Sequence, residues 1–189
     1  AQPSTPASYF HLLREHTYTR PRRPLIVFTP KQLLRLKAAC SPVEAFTSDT
    51  FQPVIGETDD AVLASAQKQG VDRVLLCSGR VYYDLLAHRT KTGDTSTAIV
   101  RLEQLYPLES SAIAEALAPF SGAELVWVQD EPANQGMWPY LALNLPTDLT
   151  GGVLPTLVSR PEAAAPAVGT AGLHRAQQEE ILRQAFARR

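Results

Sequence analysis

The chain has 189 residues, of which 44% are hydrophobic and 20% are charged, and its formal net charge is -1. This length allows one domain with a sizeable core, and the hydrophobic share argues against disorder. The balanced charge and the lack of a long apolar stretch argue against nucleic acid and membrane as partners.

Cysteine usage indicates the compartment. Cys40 and Cys77 are the only two cysteines, and they lie far apart in the sequence. Two reduced, largely buried thiols are the better interpretation than a disulfide or a metal pair, and no secretory signal opens the chain. We therefore expect an intracellular, cytoplasmic protein. The chain starts at Ala1 without a Met, which we take as a sign of a longer polypeptide.

Residues 1–24 predict a helix followed by a linker. Thr5 is a favourable N-cap, and Pro6 fits the first helical position. The basic, proline-containing segment Arg20–Pro24 then stops the helix. Because so short a helix has little of its own to pack on, we interpret it as the last helix of a preceding domain. Residues 25–189 then form the second domain.

The second domain alternates strands with helices. Leu25–Phe28 predicts a strand, Lys31–Ala39 a short basic helix, and residues 40–70 an irregular connection with a helical piece at Asp59–Gln69. Further strands are predicted at Val71–Cys77, Thr97–Leu102, Glu124–Gln129 and Leu154–Ser159. Helices are predicted at Val81–Arg89, Ser110–Ala118 (capped by Ser110 or Ser111), Asn134–Leu143 and Leu173–Arg188, with a loop at Pro161–Gly172. This order predicts an α/β three-layer sandwich with a mainly parallel sheet.

Most candidate chemical groups have structural interpretations. The four histidines have no neighbours at metal-ligand spacing, and Ser78-Gly79 fits a strand-to-helix turn better than a phosphate loop. Arg101 and Glu103 alternate in phase, so an ion pair is expected. Two interpretations stay open for a cluster of basic residues near the start of the chain, a site for a phosphate-bearing effector and a solvated linker. The cluster consists of Arg14, Arg20, Arg22, Arg23, Lys31 and Arg35.

A polar segment follows the third regular strand. Asp130 and Glu131 come directly after Glu124–Gln129, and ligands usually bind at the carboxyl ends of parallel strands. Pro132, Asn134, Gln135 and Gly136 then make a turn suited to capping the next helix. Trp127 and Trp138 flank this loop. We favour an interface or structural role over direct ligand contact, with the residues Asp130, Glu131, Asn134, Gln135 and Trp138 as the candidates.

Several segments together resemble one family. They are PSTPASYFHLLR (Pro3–Arg14), FTPKQLLR (Phe28–Arg35), CSGRVYYDLL (Cys77–Leu86), IVRLEQLYPL (Ile99–Leu108), QDEPANQG (Gln129–Gly136) and APAVG (Ala165–Gly169). In this order they resemble the C-terminal region of the thiamine-diphosphate-dependent 2-oxoglutarate dehydrogenase first component. The resemblance is strongest to the actinobacterial branch, whose members fuse an acyltransferase domain to the same polypeptide.

The resemblance implies a transketolase-like C-terminal domain preceded by the end of a pyrimidine-binding domain. It also implies a homodimeric enzyme of the tricarboxylic acid cycle that decarboxylates 2-oxoglutarate. The implied partners are a lipoyl-bearing succinyltransferase, which receives the product, and dihydrolipoyl dehydrogenase. Thiamine diphosphate and Mg²⁺ are expected outside this segment, as are the catalytic, cofactor and metal ligands. We therefore expect these 189 residues alone to be inactive.

Some actinobacterial members carry an acetyl-CoA activation site in this region, held by basic side chains. At the corresponding positions this chain has Glu15, Thr50, Ser111 and Ala112, and only Gln104 keeps a matching polar group. A carboxylate near a phosphate repels it, so acetyl-CoA activation is predicted to be lost or weak. Two alternatives remain open: a thiamine-dependent enzyme for another 2-oxo acid, and a non-catalytic regulatory or binding paralogue.

Overall fold

Five strands form a single sheet in the computed structural model, which describes residues 1–188 and so leaves out Arg189, the last residue of the predicted second domain. The strands are β1 (Val54–Ile55), β2 (Arg73–Cys77), β3 (Thr97–Leu102), β4 (Glu124–Pro132) and β5 (Thr156–Arg160), in the order β1-β3-β2-β4-β5. β1 is antiparallel to β3, and all other pairs are parallel. The mainly parallel α/β prediction is confirmed.

Within residues 1–188, seven α-helices connect and flank the strands. They are α1 (Pro6–Tyr18), α2 (Glu44–Thr47), α3 (Asp60–Ala66), α4 (Val81–Thr92), α5 (Ser110–Leu117), α6 (Trp138–Asn144) and α7 (Ala171–Ala185). The prediction that Thr5 caps α1 is confirmed, because the Thr5 hydroxyl accepts a hydrogen bond from the Ser8 backbone N–H at 3.1 Å. No helix within residues 1–188 has the length and apolarity needed to cross a membrane.

The two faces of the sheet bury separate cores. Leu75 and Cys77 of β2 pack on one face with α4 and α7, whereas Val74 and Leu76 pack on the other with α3, α5 and α6. All residues of β2 and β3 are buried, as expected for inner parallel strands covered on both sides. The alternation along each strand thus produces the three layers.

Ion pairs close the amino end of the sheet. Arg89, near the end of α4, binds the Glu57 carboxylate with both guanidinium nitrogens, and Glu57 also accepts from the Ile99 backbone N–H at 2.8 Å. The Arg89 and Glu57 side chains are only 3% and 2% exposed. The first residues of β2 and β4 are also paired, since Arg73 Nη2 lies 2.6 Å from Glu124 Oε2.

Several local predictions were wrong. Leu25–Phe28 is extended but does not join the sheet; instead Ala1 donates to Ile26 O and accepts from Phe28 N. Lys31–Ala39 forms two short 3₁₀ turns, and the irregular region contains the short strand β1. Glu109 is the N-cap of α5, so neither Ser110 nor Ser111 caps it, and Cys40 is exposed rather than buried.

Candidate functional site at the carboxyl edge of the sheet

Polar side chains from four strands meet at the carboxyl edge of the sheet. Ser78 follows β2, Glu103 follows β3, Asp130 lies in the last part of β4, and Arg160 ends β5. Ligands of open parallel sheets bind at this edge. The prediction that Asp130 and Glu131 follow the strand was slightly wrong, because β4 continues through Pro132 past an irregularity in its pairing with β5.

The Ser4–Glu103 cluster joins the N-terminal segment to β3. Glu103 Oε2 accepts from the Ser4 backbone N–H at 2.7 Å and from the Ser8 hydroxyl at 2.6 Å. Arg101 Nη1 donates to the Ser4 hydroxyl at 3.0 Å, and Tyr83 donates to the Ser4 carbonyl at 2.6 Å. These contacts fix the start of α1 on the sheet edge.

The ion pair predicted between Arg101 and Glu103 does not form within residues 1–188. Ser4 lies between the two charges and bonds to both, and the Arg101 guanidinium stacks on the Tyr82 ring, 4.0 Å from its centroid. One atom on each charged side chain, Arg101 Nε and Glu103 Oε1, is buried without a hydrogen-bond partner among the residues that the structure describes. Burial raises the pKa of the neighbouring Tyr83 to about 12, so this phenol stays a donor at neutral pH.

A second network lies over β4 and β5. Arg80 donates to the Asp130 carboxylate at 2.6 and 3.0 Å and to Asp84 at 2.7 Å. Arg160 donates from Nε to the Asp130 carbonyl at 2.7 Å and from its other nitrogens to Gln177 and Gln178 of α7. Asp130 is therefore already engaged by protein cations and holds α4, β4 and β5 together.

Gln129 organises the loop after β4, a role that sequence reasoning missed. Its side chain is buried and accepts from Trp127 Nε1 at 2.9 Å and from the Trp138 backbone N–H at 3.0 Å. The same amide donates to the carbonyls of Pro132 and Gln135 at 2.9 and 2.8 Å. The available signal was an uncharged polar residue at the end of an apolar strand, which needs partners once buried.

Gly136 completes this turn for two reasons. Its φ of +68° is a left-handed conformation that side chains other than glycine rarely adopt. A Cβ at this position would also lie 3.1 Å from both polar ends of the Gln129 amide. The QDEPANQG segment therefore encodes the shape of a loop built around one buried amide.

The other loop candidates contact a neighbouring loop. Asn134 exchanges hydrogen bonds with the Ala163 backbone at 3.1 and 3.2 Å, and Gln135 donates to the Ala163 carbonyl at 2.8 Å. The predicted helix cap is wrong, because Met137 is the N-cap of α6 and makes no side-chain cap bond. The half-buried Trp138 packs against the core under α6. Whether these residues serve a subunit interface or a ligand stays a prediction.

A cavity of about 540 Å³ opens at this edge beside Glu131. Its walls come from the N-terminal segment, the extended residues around Ile26, the turn after β3, and the start of α6. Gln2 helps to shape it, since the Ser78 hydroxyl donates to Gln2 Oε1 at 2.7 Å and a Cβ on Gly79 would lie 2.6 Å from the Gln2 side chain. Burial first, and then the neighbouring Asp130 carboxylate, raise the pKa of Glu131.

The predicted effector positions are only partly brought together. Gln104 lies beside the segment that follows Thr50, because its backbone N–H donates to the Pro53 carbonyl at 3.0 Å. Its side-chain amide donates to the Pro107 carbonyl and to Glu109, directly before α5 and its residues Ser111 and Ala112. Glu15 is exposed on α1, and no hydrogen bond or ion pair in the described part of the chain joins it to the other four positions.

The histidines and the buried thiol have structural surroundings. His11 bonds the Ala45 carbonyl at 2.7 Å, and His88 stacks on Phe186 with ring centroids 4.6 Å apart. Burial raises the pKa of Cys77 to about 12, so this thiol stays protonated and unreactive. Residues 1–188 contain no group of three or more His, Cys, Asp or Glu that could hold a metal ion.

Comparison with known proteins defines the class. The family of 2-oxoglutarate dehydrogenase C-terminal domains matches residues 40–186, and this chain belongs to that family.

The chain is also 45% identical over 194 residues to the multifunctional 2-oxoglutarate metabolism enzyme of Mycobacterium sp. (strain JLS), covering 99% of this chain and 15% of that protein. It is 45% identical over 188 residues to the 2-oxoglutarate dehydrogenase E1/E2 component of Corynebacterium glutamicum, covering 98% and 15% respectively. The expected family and actinobacterial resemblance are therefore confirmed. The chain spans about 15% of the length of these relatives.

Proposed function

We propose that this chain is the C-terminal part of a 2-oxoglutarate dehydrogenase first component that uses thiamine diphosphate and Mg²⁺. That enzyme decarboxylates 2-oxoglutarate and passes the product to a lipoyl-bearing succinyltransferase. Dihydrolipoyl dehydrogenase then reoxidises the lipoyl group. The observation that carries this proposal is the 45% identity over 99% of the chain to an enzyme of 2-oxoglutarate metabolism. Within the enzyme, the chain contributes architecture to a cytoplasmic homodimer.

The charged groups of the carboxyl edge support an architectural role. Asp130 is bound by Arg80, and Glu103 is bound by Ser4 and Ser8, so both carboxylates hold protein elements together. Gln129 is likewise saturated by four bonds to its own loop. The contacts of these three groups are thus contacts within the protein, which favours a structural role for them.

The described residues do not fit a thiamine diphosphate and Mg²⁺ site. Mg²⁺ requires several oxygen ligands in near-octahedral geometry, and residues 1–188 present no cluster of three or more candidate ligands. We propose that the cofactor binds to other parts of the longer enzyme and that this chain by itself releases no carbon dioxide from 2-oxoglutarate.

A domain exchange tests the proposal. The corresponding C-terminal region of the Corynebacterium glutamicum relative is replaced by this chain, and 2-oxoglutarate-dependent reduction of NAD⁺ is measured with the partner components present. We expect the chimera to keep activity within about tenfold of the parent, because 45% identity preserves the core that the domain interfaces rest on.

A chimera carrying Gln129→Leu serves as the matched control and is expected to lose stability and activity together. A soluble, folded chimera without activity would contradict the proposal. Carbon dioxide release by the isolated chain would contradict the architectural role.

We also propose that acetyl-CoA activation is lost or weak. The Gln104 amide donates to the Pro107 carbonyl and to the Glu109 carboxylate. Glu109 therefore places a carboxylate beside the one polar group kept at the predicted site. Exposed Glu15 and Ser111 offer no positive charge for phosphates. A carboxylate near a phosphate repels it, which disfavours a CoA ligand.

Titration of acetyl-CoA separates this second proposal from the first. The chimera is expected to show no change in activity when acetyl-CoA is added. A Glu15→Arg, Ser111→Arg variant of the chimera is expected to gain binding by calorimetry. Activation of the unmodified chimera at micromolar acetyl-CoA would overturn the proposed loss.

A further inference from the structure

The cavity beside Glu131 has no assigned role. Its volume of about 540 Å³ lies within the range of small-molecule sites, roughly 300–1,000 Å³. It sits at the carboxyl edge of the parallel strands, between the end of β4 and the turn after β3. That position is the one at which open α/β sheets bind ligands.

Glu131 is the acidic group of this cavity, and it lacks a cationic partner. Within residues 1–188 no Lys, Arg or His nitrogen and no N-terminal amine lies within ion-pair distance of its carboxylate, and the Ala1 amino group donates to the Ile26 carbonyl instead. Arg80 is engaged by Asp130 and Asp84. Arg160 is engaged by the Asp130 carbonyl and by glutamines of α7.

The pKa of Glu131 agrees with this geometry. Burial raises it and the Asp130 carboxylate raises it further, whereas a bond to the backbone of Glu131 itself and the nearby Arg80 and Arg160 lower it without cancelling the rise. A half-buried carboxylate in these surroundings lacks the compensating charge that buried carboxylates normally have. A ligand that brings a positive charge supplies it.

Aromatic side chains form much of the remaining wall. Trp127, Tyr106 and Tyr140 line the cavity, and the two tyrosine rings pack edge to face with centroids 5.8 Å apart. Aromatic faces attract ammonium and guanidinium groups through the ring quadrupole. The apolar Phe28 and Met137 complete a surface for the uncharged body of a ligand.

We propose that this cavity binds a small organic amine, with its protonated nitrogen at Glu131 and its apolar body against the aromatic wall. The Ser78 hydroxyl at the cavity wall bonds Gln2, so it helps to hold the wall in place. Anions are disfavoured, because Glu131 is the charged side chain among the described residues that line the cavity. The chain thus has a cation site that is separate from the predicted acetyl-CoA positions.

Methyl NMR on the full chain tests this site. Met137 is the single methionine, so a sample labelled at the methionine methyl gives one reporter inside the cavity. The probes are 2-phenylethylamine, the neutral 2-phenylethanol and the anionic 3-phenylpropionate. We expect saturable shifts with the amine and at least about tenfold weaker binding of the alcohol, which corresponds to 1.4 kcal/mol.

Two variants identify the carboxylate responsible. Glu131→Gln is expected to lower amine affinity about tenfold and to leave the alcohol unchanged, whereas Glu115→Gln, at an exposed position on α5, should behave like the parent. An unchanged Met137 signal before titration shows that each variant is folded. Equal affinity for amine and alcohol, tighter binding of the anion, retention of amine binding by Glu131→Gln, or the absence of any saturable shift would each overturn the proposal.

Discussion

The two ends of the central strands differ in how completely their buried charged groups are bonded. At the amino end, Glu57 and Arg89 form a nearly inaccessible ion pair, and Glu57 also receives a backbone N–H. At the carboxyl end, within residues 1–188, Arg101 Nε and Glu103 Oε1 are buried without hydrogen-bond partners, and Glu131 lines a cavity without forming an ion pair. The amino end is closed by internal partners, whereas the carboxyl end keeps unmet bonding capacity.

This difference separates stability from function. Fully paired groups stabilise one conformation and have nothing left for a ligand. Buried polar groups that lack hydrogen-bond partners lower the stability of the fold, and proteins keep such groups mainly at functional sites. The carboxyl edge of this chain is therefore the part to examine for binding, and the amino end is the part whose loss unfolds the domain.

Breaking the amino-end pair should have the largest effect. Arg89→Leu removes the cation from the buried Glu57 carboxylate and leaves it with backbone N–H donors only, so we expect the free energy of unfolding to fall by about 3–5 kcal/mol in urea titrations. Arg183→Leu removes only an exposed pair with Glu180, so its free energy of unfolding should stay close to that of the parent. A loss below 1 kcal/mol for Arg89→Leu would mean that the amino end is not the stabilising one.

Removing the buried amide at the carboxyl edge should come next. Gln129→Leu keeps the side-chain volume but leaves the Trp127 and Trp138 N–H groups and two carbonyls without their partner. We therefore expect the free energy of unfolding to fall by about 3 kcal/mol. Gln135→Leu, which loses only the bond to Ala163, is the matched amide control and should cost about 1 kcal/mol. Chemical denaturation of both variants gives the comparison, and equal losses would contradict a central role for Gln129.

Neutralising Glu103 tests how α1 is held. Glu103→Gln weakens the bonds from Ser4 and Ser8, so we expect a loss of about 2 kcal/mol and faster hydrogen exchange at the start of α1. Ser8→Ala removes one of these bonds and should cost about 1 kcal/mol. Unchanged exchange at residues 4–12 in Glu103→Gln would show that other contacts hold the helix.

Neutralising Glu131 should have the smallest effect and the opposite sign. Since the pKa of Glu131 is raised from 4.5, its ionised form destabilises the fold, and this penalty appears as pH rises through 4.5 and is complete above the folded-state pKa. Glu131→Gln is therefore expected to be more stable at pH 7 by up to about 1 kcal/mol. Urea titrations at pH 7 and pH 4 should show this advantage only at pH 7, and a destabilised variant at pH 7 would contradict it.

Periodic segments were predictable because their patterns need no long-range information. The strand Thr97–Leu102 was predicted with both ends correct, since an apolar run between turn residues defines it locally. The Thr5 cap was equally local. The prediction of a strand at Leu25–Phe28 failed because an extended apolar segment joins a sheet only if a neighbouring strand edge is available. Here the segment bonds to Ala1 instead.

The sequence by itself determined the family and the three-layer architecture, because the first rests on contiguous residues and the second on periodicity. The tertiary structure decided which charges meet. Ser4 separates Arg101 from Glu103, and Arg80 takes up Asp130 while Glu131 stays open to the cavity. These pairings join residues about 50 to 100 positions apart, and only the packing of the chain brings them within bonding distance.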